Sequence, residues 1–181
     1  MRRVVLMMSV SVDGFVAGPH GHAGALGEPA ALKRWKLERA RRAGTHIMGR
    51  VTYEEMAQHW PTSRDEYAAP MNDIPKVVFS KTLDGASWAR SSIARGELAA
   101  ELTALRQQPG GEIIAWGGAH FAQALSRGGL VDEYVLVIHP VVFGSGLPMF
   151  PQLPSALRLR LTKAESFATG TVLHVYEPAR D

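Results

Sequence analysis

Short apolar runs alternate with amphipathic segments along most of the chain. The apolar runs predict strands over residues 3–12, 45–49, 76–80, 112–116 and 132–139. Apolar positions at helical spacing predict helices over 28–42, 94–107 and 119–127. Thr52 followed by Glu55 forms a capping-box pattern, which predicts a short helix after the second strand. The order is therefore strand-helix, repeated about four times.

The remaining segments predict loops and a terminal hairpin. Residues 13–27 contain five glycines, which favours a mobile loop, and 59–75 contains three prolines, which favours irregular structure. Residues 157–164 and 171–176 predict two strands joined by a turn at 168–170. Because strands alternate with helices, the predicted fold class is α/β, three layers α/β/α, with a mostly parallel central sheet and an antiparallel C-terminal hairpin.

Length and composition are typical of one globular domain. The chain has 181 residues, 46% hydrophobic and 20% charged, and no linker divides it, so we expect a single domain over 1–181. The absence of cysteine excludes disulfides, zinc-thiolate sites and thiol nucleophiles, and favours a cytoplasmic location. The first apolar run resembles a signal peptide but is short, so a buried strand explains it better and we expect no membrane partner.

Two features that suggest other functions are better explained as solvated structure. The segment KRWKLERARR at 33–42 has six basic residues, and the net charge is +3. No nucleic-acid-binding motif accompanies it, so nucleic-acid binding is only a minor alternative. His20 and His22 have no third ligand nearby, so we predict no metal site.

Three predicted strands end in residues that suit an anionic ligand. The segments are GRVT at 49–52, SKT at 80–82 and GGAH at 117–120. The first and third open helices, whose leading amides are unpaired and partly positive. Since the carboxyl ends of parallel strands share one edge, the three segments would together suit the phosphates of a nucleotide. Neither a Walker loop nor a GxGxxG fingerprint is present, so ordinary turns remain an alternative.

These segments resemble dihydrofolate reductases. THIMGRVTYEEM is similar to their strand-Gly-Arg-x-Thr-helix element, KVVFSK to their next cofactor-side strand, and IIAWGGAHFAQAL to their double-glycine turn. With SVSVDGFVAG and HPVVFGSGLPMF, the chain more closely resembles the reductase domain of bifunctional riboflavin-biosynthesis enzymes, the RibD C-terminal domain. The resemblance covers nearly the whole chain. It implies a dihydrofolate reductase-like fold, NADPH as hydride donor and a homodimer.

The resemblance also implies cofactor-binding residues. The phosphates would be held by the residues after the second strand, Gly49, Arg50, Val51 and Thr52. The ribose phosphate would be flanked by Ser80 and Lys81. The pyrophosphate and nicotinamide would be wrapped by Gly117, Gly118, Ala119, His120 and Phe121, with Ala17 near the carboxamide. A side chain at Gly118 would fill space that the ligand needs, so we expect Gly118→Val to abolish cofactor binding and leave the fold mostly intact.

The substrate side is less defined. The predicted first helix lacks the acidic residue with which dihydrofolate reductases engage the pterin, and it matches the arginine pattern of the riboflavin branch poorly. Asp13 and Glu28 are the candidate catalytic acids, and the candidate substrate contacts are Trp35, Tyr53 and Met149. We expect an NADPH-dependent reductase of a small pteridine- or pyrimidine-like heterocycle. A reductase must supply a proton as well as a hydride, and the predicted first helix lacks the carboxylate that could do so. The main alternative is therefore a non-catalytic nucleotide-binding protein, and a flavin site is a weaker one.

Overall fold

The structure is a computed structural model that describes residues 1–179. Its strands are β1 (Val4–Ser11), β2 (Phe15–Gly18), β3 (Gly21–His22), β4 (Thr45–Gly49), β5 (Lys76–Phe79), β6 (Ser91–Ala94), β7 (Ile113–Trp116), β8 (Glu133–His139), β9 (Leu147–Pro148), β10 (Leu159–Ser166) and β11 (Val172–Pro178). Its helices are α1 (Ala30–Arg41), α2 (Arg50–His59), α3 (Ala68–Asp73), α4 (Leu98–Gln107) and α5 (Ala119–Arg127). Two short 3₁₀ turns lie at Ala23–Leu26 and Trp60–Thr62.

Eight of these strands form one sheet, in the order β10-β11-β8-β1-β7-β4-β5-β6. All pairs from β8 to β6 are parallel, with Val4 of β1 opposite Ile113 of β7 and Val5 opposite Glu133 of β8. The hairpin β10-β11 adds antiparallel strands beside β8. The predicted fold class is therefore confirmed, including the antiparallel C-terminal hairpin.

Helices cover both faces of the sheet and bury two separate cores. Buried apolar side chains of α1, α2 and α3 pack into one core, and those of α4 and α5 into the other. Strand β1 alternates between them, because successive side chains of a strand point to opposite faces. Val5 and Met7 enter the first core, and Val4, Leu6, Met8 and Val10 enter the second. The continuous apolar run of β1 therefore reflects burial on both sides.

The glycine-rich segment 13–27 is more regular than predicted. It contains β2 and β3, which pair with each other and with β9 in a second, three-stranded sheet. Ala17 pairs with both His22 and Leu147. Since β9 lies far along the chain from β2, no local pattern in 13–27 reveals this pairing.

Residues 59–75 were predicted to be irregular, and this is wrong, because they contain a 3₁₀ turn and α3. Pro70 lies in the first turn of α3, where a missing N–H loses no intrahelical hydrogen bond. The buried Lys76 Nζ then donates, at 2.9 Å each, to three carbonyls at the end of the helix, those of Met71, Asn72 and Ile74. Burial lowers the pKa of Lys76 to about 8. A side chain of the following strand thus fixes the end of this helix.

Two predicted helix starts are also wrong. Helix α2 begins at Arg50 with Gly49 as its N-cap, so Thr52 lies inside the first turn and is not a capping residue. Helix α4 begins at Leu98, because Ser91–Ala94 forms β6 and pairs with β5 at the edge of the sheet.

Candidate active site

A cleft of about 980 Å³ opens at the carboxyl edge of the parallel sheet. It is enclosed by the ends of β1 and β7, the first turns of α2 and α5, the small second sheet and one side chain of α1. Its apolar walls include Met7, Val16, Met56, Trp60, Trp116 and Leu147. The cleft therefore combines a large apolar surface with the N-terminal ends of two helices.

The N-termini of α2 and α5 both reach this cleft. Gly49 and Gly118 are the N-cap residues, so no side chain caps either helix. The leading amides are therefore unpaired within their helices and carry partial positive charge. Val51 and Thr52 of α2 and Ala119 of α5 line the cleft. Two such N-termini in one cleft present backbone groups of the kind that suit an anion.

The double glycine lets these two helix N-termini approach each other. Gly117 and Gly118 have φ of 45° and 74°, in the region that favours glycine. A Cβ on Gly118 would lie 2.6 Å from Thr52 Oγ1 of α2. The expectation that Gly118 serves only to leave room for a ligand is therefore incomplete. A side chain there would also strain the backbone and displace Thr52, so some loss of stability accompanies the expected loss of cofactor binding.

Trp116, the last residue of β7, forms one wall of the cleft and is held from behind. Its Nε1–H donates to Nδ1 of the fully buried His46 at 2.9 Å. The other ring nitrogen of His46 therefore carries the proton and donates to the Pro70 carbonyl at 3.1 Å. Burial lowers the pKa of His46 to about 4, so the ring is neutral at pH 7. This hydrogen-bonded chain fixes the orientation of the indole.

Other lining residues of the cleft carry charged and polar side chains. Lys36 of α1 lines the cleft, and its Nζ lies 2.7 Å from Glu28 Oε1 in a largely buried ion pair. Glu55 and His59 of α2 also line the cleft. The ring of His59 packs edge-on against Trp60, with the centroids 4.6 Å apart. These residues offer aromatic surface and hydrogen-bonding groups to a bound molecule.

Five of the predicted cofactor residues line the cleft, namely Val51, Thr52, Gly117, Gly118 and Ala119. Gly49 lies next to it as the N-cap of α2, and Ala17 lies in β2 beside a lining residue. His120 is exposed and does not line the cleft, and the ring of Phe121 packs on Phe79, with the centroids 5.2 Å apart. Seven of the twelve predicted cofactor residues thus lie in or beside the cleft.

The predicted charged residues lie exposed beside the strand ends. Arg50 is 45% exposed and pairs with Glu54 at 3.0 Å, and Lys81 is 71% exposed and pairs with Glu97 at 3.0 Å. The hydroxyl of Ser80 accepts hydrogen bonds from two amides of the turn that follows β5. Exposed ion pairs are weak, so either cation can turn to another anion at small cost.

The structure places the three predicted substrate residues outside the cleft. The Tyr53 hydroxyl is buried and accepts the amide of Trp88 at 3.0 Å, and Met149 is buried in the second core. Trp35 lies near Glu112, which precedes β7, and hence at the opposite, amino edge of the sheet. Helical spacing indicates that Trp35 and Tyr53 are apolar contacts, but not which end of the sheet they face.

Neither candidate acid projects freely into the cleft. The Asp13 carboxylate accepts hydrogen bonds from the Ser11 hydroxyl and from the amides of Phe143 and Gly144, and these bonds, that to Ser11 foremost, lower its pKa. Asp13 therefore fastens the loop after β1 to the loop after β8. Glu28 is held by Lys36.

Sequence reasoning missed several side chains that line the cleft, including Met7, Lys36, Met56, Trp60 and Trp116. Trp116 could have been found, because it directly precedes the double glycine that was identified. Trp60 gave no signal, since it lies in a proline-containing segment without periodicity. Lys36 belongs to the basic segment 33–42, for which the sequence favours a solvated helix face.

Neither a metal centre nor a membrane span emerges from residues 1–179. In this part of the chain, no three His, Asp or Glu side chains are grouped so as to hold a metal ion. None of the helices described above is long and apolar enough to cross a bilayer.

The family model of the RibD C-terminal domain matches residues 2–173. The chain belongs to the RibD C-terminal domain family. This family member is 28% identical to the uncharacterized protein YyaP of Bacillus subtilis (strain 168) over 181 residues, which cover 97% of this chain and 94% of YyaP.

Solved structures agree with the family in fold. A putative riboflavin biosynthesis protein from Shewanella sp. PV-4 is 22% identical, with a TM-score of 0.80, and the match covers 98% of this chain and 99% of that one. Dihydrofolate reductase from Enterococcus faecalis, complexed with NADP(H) and RAB-propyl, is 16% identical with a TM-score of 0.66 and coverage of 98% and 97%. The predicted dihydrofolate reductase-like fold is therefore confirmed for this RibD C-terminal domain protein.

Proposed function

We propose that this protein is an NADPH-dependent reductase of a small heterocyclic, pteridine- or pyrimidine-like substrate. The observation that carries the proposal is the convergence of two uncapped helix N-termini, those of α2 and α5, in one cleft at the carboxyl edge of the sheet. Such an arrangement suits the pyrophosphate of a dinucleotide. Membership of the RibD C-terminal domain family supports reductase chemistry, and a structural neighbour was solved with NADP(H).

The residues at these N-termini fit such a cofactor. Backbone amides at 50–52 and 119–121 would hold the pyrophosphate, since no side chain occupies them. Arg50 and Lys81 would exchange Glu54 and Glu97 for the additional phosphate that distinguishes NADPH from NADH, a small change because both ion pairs are exposed. NADPH, when bound, supplies the hydride. The protein orients the reactants and excludes water from the cleft.

The remaining part of the cleft suits a flat, hydrogen-bonding molecule. Trp60 and Trp116 offer aromatic surface, and the chain of hydrogen bonds through His46 keeps Trp116 in one orientation. Lys36 provides a cation that can donate hydrogen bonds to the substrate. A volume of about 980 Å³ is near the upper end of the range for small-molecule sites, roughly 300–1,000 Å³, which suits two adjoining ligands.

Reduction also requires a proton, and we assign its donor to the wall that carries Lys36. Lys36 Nζ is held in place by Glu28 and lines the cleft, whereas the Asp13 carboxylate is occupied by the loops. In this assignment Lys36 donates the proton to the substrate as the hydride arrives, and it is reprotonated from solvent.

A non-catalytic nucleotide-binding protein is the second candidate. It is favoured by the finding that both predicted acids, Asp13 and Glu28, are engaged in other contacts. Turnover separates the two candidates, because a binder would retain NADPH affinity but oxidise no NADPH.

Tryptophan fluorescence provides the first test, since Trp60 and Trp116 both line the cleft. We expect NADPH to cause saturable quenching and to bind more tightly than NADH. A panel of dihydropteridines, pteridines and pyrimidines is then screened for NADPH oxidation. Saturable binding with no oxidation across the panel supports the binder, and the absence of saturable binding of either nucleotide contradicts both candidates.

The resemblance to the riboflavin branch also leads us to propose a homodimer. Sedimentation equilibrium of the purified chain tests this, with twice the chain mass of 19.7 kDa expected. A single species at the chain mass contradicts it.

A further inference from the structure

A buried histidine outside the cleft lacks a hydrogen-bond partner. His139 ends β8 and is 2% exposed, and its Nε2 has no partner within residues 1–179. Most buried polar atoms in proteins are hydrogen-bonded, so an unpaired one calls for a physical reason. A ligand that supplies the missing partner is such a reason.

His139 lines a separate pocket of about 410 Å³. The pocket lies between the segment that precedes α1, the end of β8 and the turn of the C-terminal hairpin. Leu26, Pro29 and Val141 form its apolar walls, and Glu28 and Thr171 are among its polar residues. Such a volume accommodates a small organic group together with bound water.

An ion pair separates this pocket from the cleft. Glu28 lines the pocket, Lys36 lines the cleft, and their charged atoms are 2.7 Å apart. The two spaces therefore adjoin but have different linings, because the pocket has no aromatic side chain other than the imidazole among its lining residues.

The polar groups of the pocket define what it can bind. Burial lowers the pKa of His139, nearby Lys36 lowers it further and Glu28 opposes this, so the ring is neutral at pH 7 and can donate through Nε2–H. The Thr171 hydroxyl accepts a hydrogen bond from Thr169 at 3.1 Å, which leaves its own proton available. Glu28 can only accept when it is ionised. Two donors thus lie in the same pocket as an anionic acceptor.

We propose that this pocket binds a neutral amide group, a carbonyl with an adjacent N–H. The carbonyl oxygen accepts from His139 Nε2–H and the Thr171 hydroxyl, and the amide N–H donates to Glu28. A ligand carboxylate would be repelled by the carboxylate of Glu28. A ligand ammonium group would offer no acceptor to the Nε2–H of His139. The amide belongs either to a free small molecule or to one end of the substrate in the cleft, not to the cofactor.

The test uses benzamide as the probe and acetophenone as its matched control, because acetophenone retains the ring and the carbonyl but lacks the N–H. In the ¹⁵N-labelled protein at pH 7, we expect benzamide to bind saturably and to shift the imidazole nitrogen resonances of His139. Acetophenone should bind about tenfold more weakly, since one hydrogen bond to a charged acceptor is lost. Equal affinities for the two probes, or His139 resonances that do not move, overturn the proposal.

Variants at His139 provide the second measurement. His139→Phe should weaken benzamide binding about tenfold or more, whereas His139→Gln, which keeps a donor, should retain most of it. If His139→Phe does not fold, the comparison of benzamide with acetophenone on the natural chain still decides. Benzamide binding that is unchanged in a folded His139→Phe contradicts the proposal.

The two sources of the amide differ in their effect on the cleft. Benzamide confined to the pocket leaves the fluorescence of Trp60 and Trp116 unchanged, and the same amide attached to a longer aromatic group quenches it if it reaches the cleft. The proposal does not depend on cofactor binding. NADPH affinity should be the same in His139→Phe as in the natural chain, so failure of the reductase proposal and failure of this one are separable.

Discussion

The two halves of the cleft are built differently. The half formed by the N-termini of α2 and α5 consists of backbone amides and glycines at strand ends, and residues adjacent in sequence form each part. The other half consists of side chains from β7, α1 and the Trp60–Thr62 turn, and Trp116 among them depends on a distant buried contact. In our proposal the first half binds the phosphates of the cofactor, and the second selects the substrate that lies beside it.

The largest expected effect is on the backbone half. We predict that Gly118→Val weakens NADPH binding more than about a hundredfold and lowers the free energy of unfolding by about 1–3 kcal/mol, because φ is positive and Thr52 must move. Fluorescence titration and urea unfolding measure the two effects. The control is Gly85→Val, which meets no atom within 4 Å and should change neither quantity appreciably. Identical behaviour of the two variants contradicts the account of the double glycine.

Lys36→Met tests the side-chain half. We predict that it lowers turnover of the best substrate in the screen about a hundredfold, because the proton donor is lost, and leaves NADPH affinity unchanged. Steady-state NADPH oxidation is the measurement. Lys33→Met on the same helix is the control, since Lys33 pairs with Asp65 and does not line the cleft. Equal losses in both variants show that the charge of α1, not the position of Lys36, is responsible.

Lowering the pH should reduce the free energy of unfolding through His46, which holds the side-chain half in place. Its pKa is about 4 in the folded protein and about 6.5 in the unfolded chain, so below pH 6.5 the unfolded chain takes up a proton that the folded one does not. Stability is therefore fully present above pH 6.5 and falls as the pH decreases toward 4. His139, whose pKa is also lowered, acts in the same direction.

We predict that the His46 contribution to the free energy of unfolding falls by about 2 kcal/mol between pH 7 and pH 5. Urea unfolding at both pH values measures it, with His46→Gln as the comparison because glutamine does not titrate. The natural chain should lose about 2 kcal/mol more than the variant over this range. If the free energy of unfolding depends on pH in the same way in both proteins, the assignment to His46 is contradicted.

The smallest effect concerns cofactor choice. Arg50→Gln should weaken NADPH binding by up to about fivefold and leave NADH binding unchanged, because an exposed ion pair contributes at most about 1 kcal/mol. Fluorescence titration of both nucleotides tests this. Arg127→Gln is the control, since Arg127 lies in the last turn of α5, away from the helix N-terminus. An equal loss for NADH indicates that Arg50 does not contact the additional phosphate.

The difference between the halves explains what the sequence could predict. Strand and helix order, the parallel sheet and the hairpin follow from local periodicity, so the fold class was predicted correctly. A glycine directly after a predicted strand is also visible in the local sequence. This signal pointed to Gly117, Gly118 and the first turn of α2, which line the cleft.

The side-chain half depends on contacts that no local pattern contains. Trp116 is oriented by His46, which precedes it by 70 positions. Asp13 is held by amides about 130 residues away, so a carboxylate that could serve catalysis fastens a loop instead. Trp35 is predicted to contact the substrate because aromatic rings stack on ligands, but it lines a surface pocket with Glu112 at the amino edge of the sheet.

The central claim is that a nucleotide cofactor binds where the two helix N-termini meet. Titration of NADPH into the ¹⁵N-labelled protein, followed by backbone amide resonances, tests it most directly. We predict saturable shifts that are largest at 50–52 and 117–121, with small shifts in the last turn of α4, which does not line the cleft. Shifts that are absent at saturating NADPH, or that are no larger at α2 and α5 than at α4, contradict the account.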